Sequence, residues 1–147
     1  MPLKWLRNQT ISKDLLPHRR CDDYVDWIRS WPLWVWGKQW LLVHGGLHPR
    51  LAIEKTDPWF LTTVRVCSQG GERPEGWDGK NGTIPADFRP WYTWYRGSDL
   101  VIYGHWARRG LTVRSRTVGL DSGCVYGGQL SGMWFPSRDV VQVAGLA

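Results

Sequence analysis

Two short apolar runs constrain this chain most. Leu41-Leu42-Val43 and Leu100-Val101-Ile102-Tyr103 each break off into a histidine set beside glycine, giving His44-Gly45-Gly46 and Gly104-His105. Apolar runs of this length, bounded by glycine, read as buried strands. Histidines at the carboxyl ends of neighbouring strands can converge on one point above a sheet. Gly45, Gly46 and Gly104 let backbone come close to whatever sits there. Neutral imidazole suits a divalent transition metal. Two histidines do not complete such a site, and on spacing alone a pair of satisfied, buried histidines is the more economical account. His18, in a basic stretch, and His48, before Pro49, read as loop residues.

The remaining chain is read around these strands. Asp22 is a fitting N-cap for a helix carrying Tyr24, Trp27 and Ile28 on one face, ended by Pro32. A short helix is expected from Pro49 to about Lys55. Thr62–Cys67 fits either a strand or the end of a helix. Residues 68–85 form a long loop with five glycines, and a loop of that length inside a domain is usually functional. Residues 90–95 are an aromatic cluster. A meander follows over 111–120, 124–135 and 140–143. No repeat and no internal boundary is visible, so residues 1–21 form an amino-terminal segment and 22–147 a single domain.

Composition narrows the function classes. Lysine and arginine outnumber aspartate and glutamate 19 to 13, for a net charge of +6, which favours anionic partners such as phosphates, nucleotides or nucleic acid. The 12 tryptophans can stack on bases or fill a core; Trp27, Trp34, Trp36 and Trp40 lie among apolar residues and are expected in the core or lining a groove. Three widely spaced cysteines argue against a disulfide scaffold or a Cys-x-x-Cys metal site. No apolar run approaches a membrane span and no secretory leader is visible, so a cytoplasmic location without membrane contact is expected.

Three stretches carry a resemblance. Leu42-Val43-His44-Gly45-Gly46-Leu47-His48-Pro49, Val101-Ile102-Tyr103-Gly104-His105-Trp106-Ala107 and Gly119-Leu120-Asp121-Ser122-Gly123-Cys124-Val125-Tyr126-Gly127-Gly128-Gln129-Leu130-Ser131 resemble, in order and spacing, three motifs of the calcineurin-like metallophosphoesterases. The branch is that of the phosphoprotein phosphatases, and the third motif is closest to the symmetrical bis(5′-nucleosyl)-tetraphosphatases. The likeness spans about Asp22 to Val143. It implies an α/β fold, the carboxy-terminal half of a metallophosphoesterase β-sandwich flanked by helices. It also implies a metal-dependent hydrolase of dinucleoside polyphosphates, phosphomonoesters or phosphoproteins.

By that resemblance His44 and His105 match two metal ligands. Arg65 and Arg96 match positions of phosphate-binding arginines, with a solvated surface role as the other account. Gly45, Gly46, Gly104, Trp91 and Tyr126 would line the site, and Tyr92 and Trp94 stand beside Trp91. The intact family uses a divalent metal (manganese, cobalt, iron, zinc or magnesium). Its Gly-Asp-x-His-Gly, Gly-Asp-x-x-Asp-Arg-Gly and Gly-Asn-His motifs supply the other ligands and the general acid. No Gly-Asp or Gly-Asn dipeptide occurs in this sequence, so no general acid is assigned and Asp121 is read as a turn residue. The chain is therefore expected to be inactive alone and to need a complementing amino-terminal half, with strand edges and Trp-rich faces left exposed. The alternative is a basic, Trp-rich module that binds nucleotides or single-stranded nucleic acid.

Overall fold

The computed structural model describes residues 18–77, 79 and 83–146. Most of the expected amino-terminal segment therefore lies outside the described residues. The chain divides into two compact units between Pro32 and Leu33. The described part of the first is helix α1 (His18–Arg29) with its terminal turn. It begins one turn before Asp22, because nothing in His18-Arg19-Arg20-Cys21 opposes helix. Its end is closed by Ser30 Oγ donating to the Trp27 carbonyl at 2.6 Å. Pro32 disfavours helical geometry at the residue before it.

The second unit starts with a hairpin, β1 (Trp34–Gly37) and β2 (Trp40–Val43). A single 3-10 turn at Ile53–Lys55 stands where a helix from Pro49 was expected. The His48 ring caps only a first turn, with Nδ1 accepting from Arg50 N–H at 3.1 Å and Leu51 N–H at 3.2 Å, and the run goes no further. Ala52 is then extended. Helix α2 (Pro58–Thr63) follows, with Asp57 accepting from Trp59 N–H and proline in the first turn. This settles Thr62–Cys67 as a helix end followed by strand β3 (Val66–Cys67), which pairs with β4 (Arg89–Pro90). Strands β5 (Leu100–Tyr103), β6 (Thr112–Val113) and β7 (Thr117–Gly119) complete a five-stranded sheet of order β1-β2-β5-β7-β6, and β2, β5 and β7 run parallel. Strands β8 (Asp121–Ser122), β9 (Gln129–Met133) and β10 (Val140–Ala144) form a second sheet. The α/β architecture with two main sheets is the expected class.

One face of the large sheet makes the core. Leu41, Val43, Val101 and Tyr103 pack there with Phe60 and Leu61 of α2, Val64 and Trp91. Each such side chain stabilises the fold by about 1.5–3 kcal/mol when fully buried. The opposite face is only partly covered. Val35, Leu42, Ile102 and Val118 are consecutive cross-strand partners, yet Val35 and Leu42 are 41% and 44% exposed. Parallel strands usually have both faces covered. The tryptophans divide between the two expectations, core or groove on one side and exposed faces on the other. Trp27 and Trp36 are 57% and 52% exposed, and Trp34 and Trp40 are half-buried. Trp36 sits on an edge strand, where its Nε1 donates to Asp99 instead of filling the core.

Gly45 is a tight joint. Its N–H donates to the Leu61 carbonyl at 2.7 Å, and that of Gly46 to the Phe60 carbonyl at 3.0 Å. A Cβ on Gly45 would stand 2.6 Å from the Thr63 nitrogen, and one on Gly46 would run into the Trp91 ring at 2.4 Å. At Gly104 the nearest atom would be 3.7 Å away. Gly45→Ala should therefore destabilise the chain by about 1–3 kcal/mol, the usual cost of overpacking. Gly104→Ala should stay within about 0.5 kcal/mol of the parent. Denaturant melts of the two variants measure the contrast.

Candidate functional site

The register of β2 against β5 brings the two histidines together. Leu42 stands beside Ile102, and just beyond the paired residues Gly104 N–H donates to the His44 carbonyl at 2.9 Å. His105 then takes a left-handed conformation, φ 68°, which turns its ring back over the strand ends. The imidazole centroids lie 5.3 Å apart with planes inclined by 60°. Helix α2 forms the neighbouring wall, and His105 makes a hydrogen-bonding contact with the Thr63 backbone.

Both rings are held neutral near pH 7. Burial lowers the His105 pKa to about 4, helped by the Arg65 charge and by His44, with the Thr63 backbone opposing. Burial lowers that of His44 as well, while Asp121 pulls it up. Asp121 also accepts from Gly123 N–H at 3.2 Å, so it serves the turn and biases His44 at once. Among the described residues, His105 Nε2 is buried without a hydrogen-bond partner. A buried ring nitrogen left unsatisfied is costly, and a neutral imidazole nitrogen is a fitting donor to a divalent ion.

Two neutral imidazoles, one with an orphaned nitrogen, fit part of a divalent ion's shell. Among the described residues no group of three His, Cys, Asp or Glu side chains is arranged to hold an ion. The donor set is therefore partial, since protein metal sites normally use at least three side chains.

The other expected site residues divide into two groups. Arg65 lies close enough to act on His105, and Gly79 of the long loop packs on its side chain. Arg65, Thr63, Trp59, Arg73 and Trp77 line a cavity of about 290 Å³. Arg96 faces elsewhere: its guanidinium donates to the Thr93 and Tyr95 carbonyls and lines a separate cavity with His48, Arg50, Trp91 and Tyr95. Trp91 is 2% exposed and forms the floor under Gly46. Tyr126 is 82% exposed on the turn after β8. The sequence alone did not point to Trp59, Arg73 and Trp77, whose only sign was a tryptophan and an arginine inside a Gly-rich loop.

Comparison with known proteins relates the chain to one group. It is 30% identical over an alignment of 164 residues to the symmetrical bis(5′-nucleosyl)-tetraphosphatase of Paraburkholderia phymatum, covering 80% of this chain and 58% of that protein. The Burkholderia thailandensis protein of the same name is 28% identical over 181 residues, covering 89% and 64%. A crystal structure described as that of "a putative diadenosine tetraphosphatase" superposes with a TM-score of 0.71 at 28% identity, covering 90% of this chain and 58% of that one. No family model matches. The chain is thus related to the symmetrical tetraphosphatases and spans about three-fifths of their length. The alignments are longer than the matched part of this chain, so the relatives carry residues inside the matched region that have no counterpart here. No described helix is long and apolar enough to cross a membrane.

The site's electrostatics predict a titration. In the metal-free chain His105 should titrate near pH 4 and His44 below 6.5, as read from imidazole proton shifts. A lowered histidine pKa means the unfolded chain binds more protons than the native one between the two values. Stability should accordingly fall as pH drops from about 6.5 towards 4.

Proposed function

We propose that this chain carries the two-histidine portion of a divalent-metal phosphoesterase site, for a dinucleoside polyphosphate or a related phosphorylated molecule. The chain hydrolyses such a substrate only when further ligands are supplied. The observation that carries this proposal is the His44–His105 pair, 5.3 Å apart at adjacent parallel strand ends, with both rings kept in the neutral, ligating form by burial. The relatives' names supply the substrate class. An ion held there would supply Lewis-acid polarisation of a phosphate oxygen.

The chain's own residues do the rest. His44 and His105 present ring nitrogens to the ion, and Asp121 biases His44 electrostatically. Arg65, beside His105, offers a guanidinium fork to phosphate oxygens, a bidentate geometry that lysine lacks. The missing share comprises at least one more carboxylate or histidine ligand and a proton donor for the leaving oxygen. A complementing amino-terminal portion is the proposed source. The partly bare sheet face around Val35 and Leu42 supports this, because the His44 strand leaves apolar surface exposed there. The binding-module alternative gains no support of its own, since the basic charge and the tryptophans already have places in this reading.

The test is hydrolysis of diadenosine tetraphosphate with manganese. The purified chain alone should stay near the blank. Adding the amino-terminal portion of the Paraburkholderia relative should raise turnover, and His44→Ala or His105→Ala should lower it again. Loss of a metal's outer-shell partner alone costs about 10–100-fold, so loss of a ligand should cost about 100-fold or more. Full turnover by the isolated chain, or a complemented rate indifferent to both histidines, would overturn the proposal.

A further inference from the structure

The cavity beside the histidine pair is lined by residues that none of the three motifs contains. It is walled by Trp59 and Trp77, by Arg65 and Arg73, and by Thr63 and Val66. Two of these tie it to the metal-ligand pair: Thr63 contacts His105 through its backbone, and Arg65 acts on His105 by charge. The cavity therefore adjoins the His105 side of the pair through two shared residues.

Its walls suit a flat, partly polar ring. Arg73 lies over the Trp59 ring at 4.1 Å and pairs with Asp57 at 3.3 Å, so a tryptophan and a guanidinium together form one wall. Trp77 is braced by Trp106, the residue after His105, with ring centroids 6.4 Å apart. Among the described residues the buried Trp77 Nε1 donor has no acceptor, and an acceptor on a heteroaromatic edge can satisfy it. At about 290 Å³ the space lies at the low end for small-molecule sites. That is room for one nucleoside-sized group and not for two.

We propose that this cavity is a nucleoside subsite. The base stacks against the Trp59–Arg73 and Trp77 walls while its 5′-phosphate runs past Arg65 towards His44 and His105. The inference deepens the phosphoesterase reading and rests on it for the direction of the phosphate. It adds that one half of a dinucleotide is recognised by stacking, and that the Gly-rich loop carrying Trp77 supplies the specificity.

The experiment measures binding, not turnover, with the whole chain in EDTA. AMP, ribose 5-phosphate and inorganic phosphate are titrated by calorimetry and followed by the indole N–H signals in nitrogen-15 spectra. AMP should bind about 10-fold tighter than ribose 5-phosphate or more, the advantage of a single base–aromatic stack. The Trp59 and Trp77 indole signals should move first. Trp77→Leu should reduce AMP to the level of ribose 5-phosphate and leave phosphate binding unchanged. The wild-type indole shifts decide the matter if that variant folds poorly. Equal affinities for AMP and ribose 5-phosphate, no binding at all, or shifts confined to other tryptophans would overturn the subsite. If AMP is preferred through Trp59 and Trp77 while complementation yields no turnover, the subsite stands and the phosphoesterase reading falls. Turnover on complementation without that preference overturns the subsite and leaves the phosphoesterase reading standing.

Discussion

The backbone joint between Gly45-Gly46 and helix α2 fixes everything around it. Two amide hydrogen bonds, to Leu61 and Phe60, clamp the end of β2 onto the helix. The contact is too close for any side chain at Gly45. That clamp sets the height of His44 above the sheet. It also sets where α2 ends, and hence where Thr63 meets His105 and where Arg65 emerges. The second histidine reaches the same point because β5 lies parallel to β2 in a fixed register and because His105 accepts a left-handed backbone. A modest conformational cost at His105 is thus offset by the packing around it.

Desolvation follows from the same geometry. The joint and the Arg65 charge leave His105 neutral well below neutral pH, and its Nε2 has no partner among the described residues. Burial of an imidazole with an unused nitrogen costs stability unless something outside the side-chain set compensates. A bound cation is the compensation that this chemistry suits. The set is too small to hold one firmly by itself, which is why the site reads as a share of a larger one.

Much of this was legible in the sequence, for identifiable reasons. The two apolar runs are strands because nothing else fits three or four apolar residues closed by His and Gly, and their histidines converge as the motif order implies. Helix α2 was half-legible: Asp57-Pro58 is an N-cap followed by proline in the first turn, but six residues give too little periodicity to separate helix from strand. The expected helix at Pro49–Lys55 is interrupted at Ala52, whose backbone is extended, a break that propensity does not record. Trp36 reads as core or groove lining on its apolar neighbours alone, and its place on an edge strand cannot be read from such neighbours. The Trp59–Arg73–Trp77 wall joins residues from a helix and a long loop, and no local pattern announces that meeting. Arg96 was matched by sequence position, whereas its guanidinium folds back on the Thr93 and Tyr95 carbonyls.

The central claim is that His44 and His105 together form a partial ion site, and manganese binding to the isolated chain tests it most directly. Calorimetric titration should show weak binding, readily stripped by gel filtration and abolished when both histidines are replaced by alanine. Tight stoichiometric binding that survives gel filtration would contradict the account by revealing a complete ligand set. Binding indifferent to the two histidines would contradict it by placing the ion elsewhere.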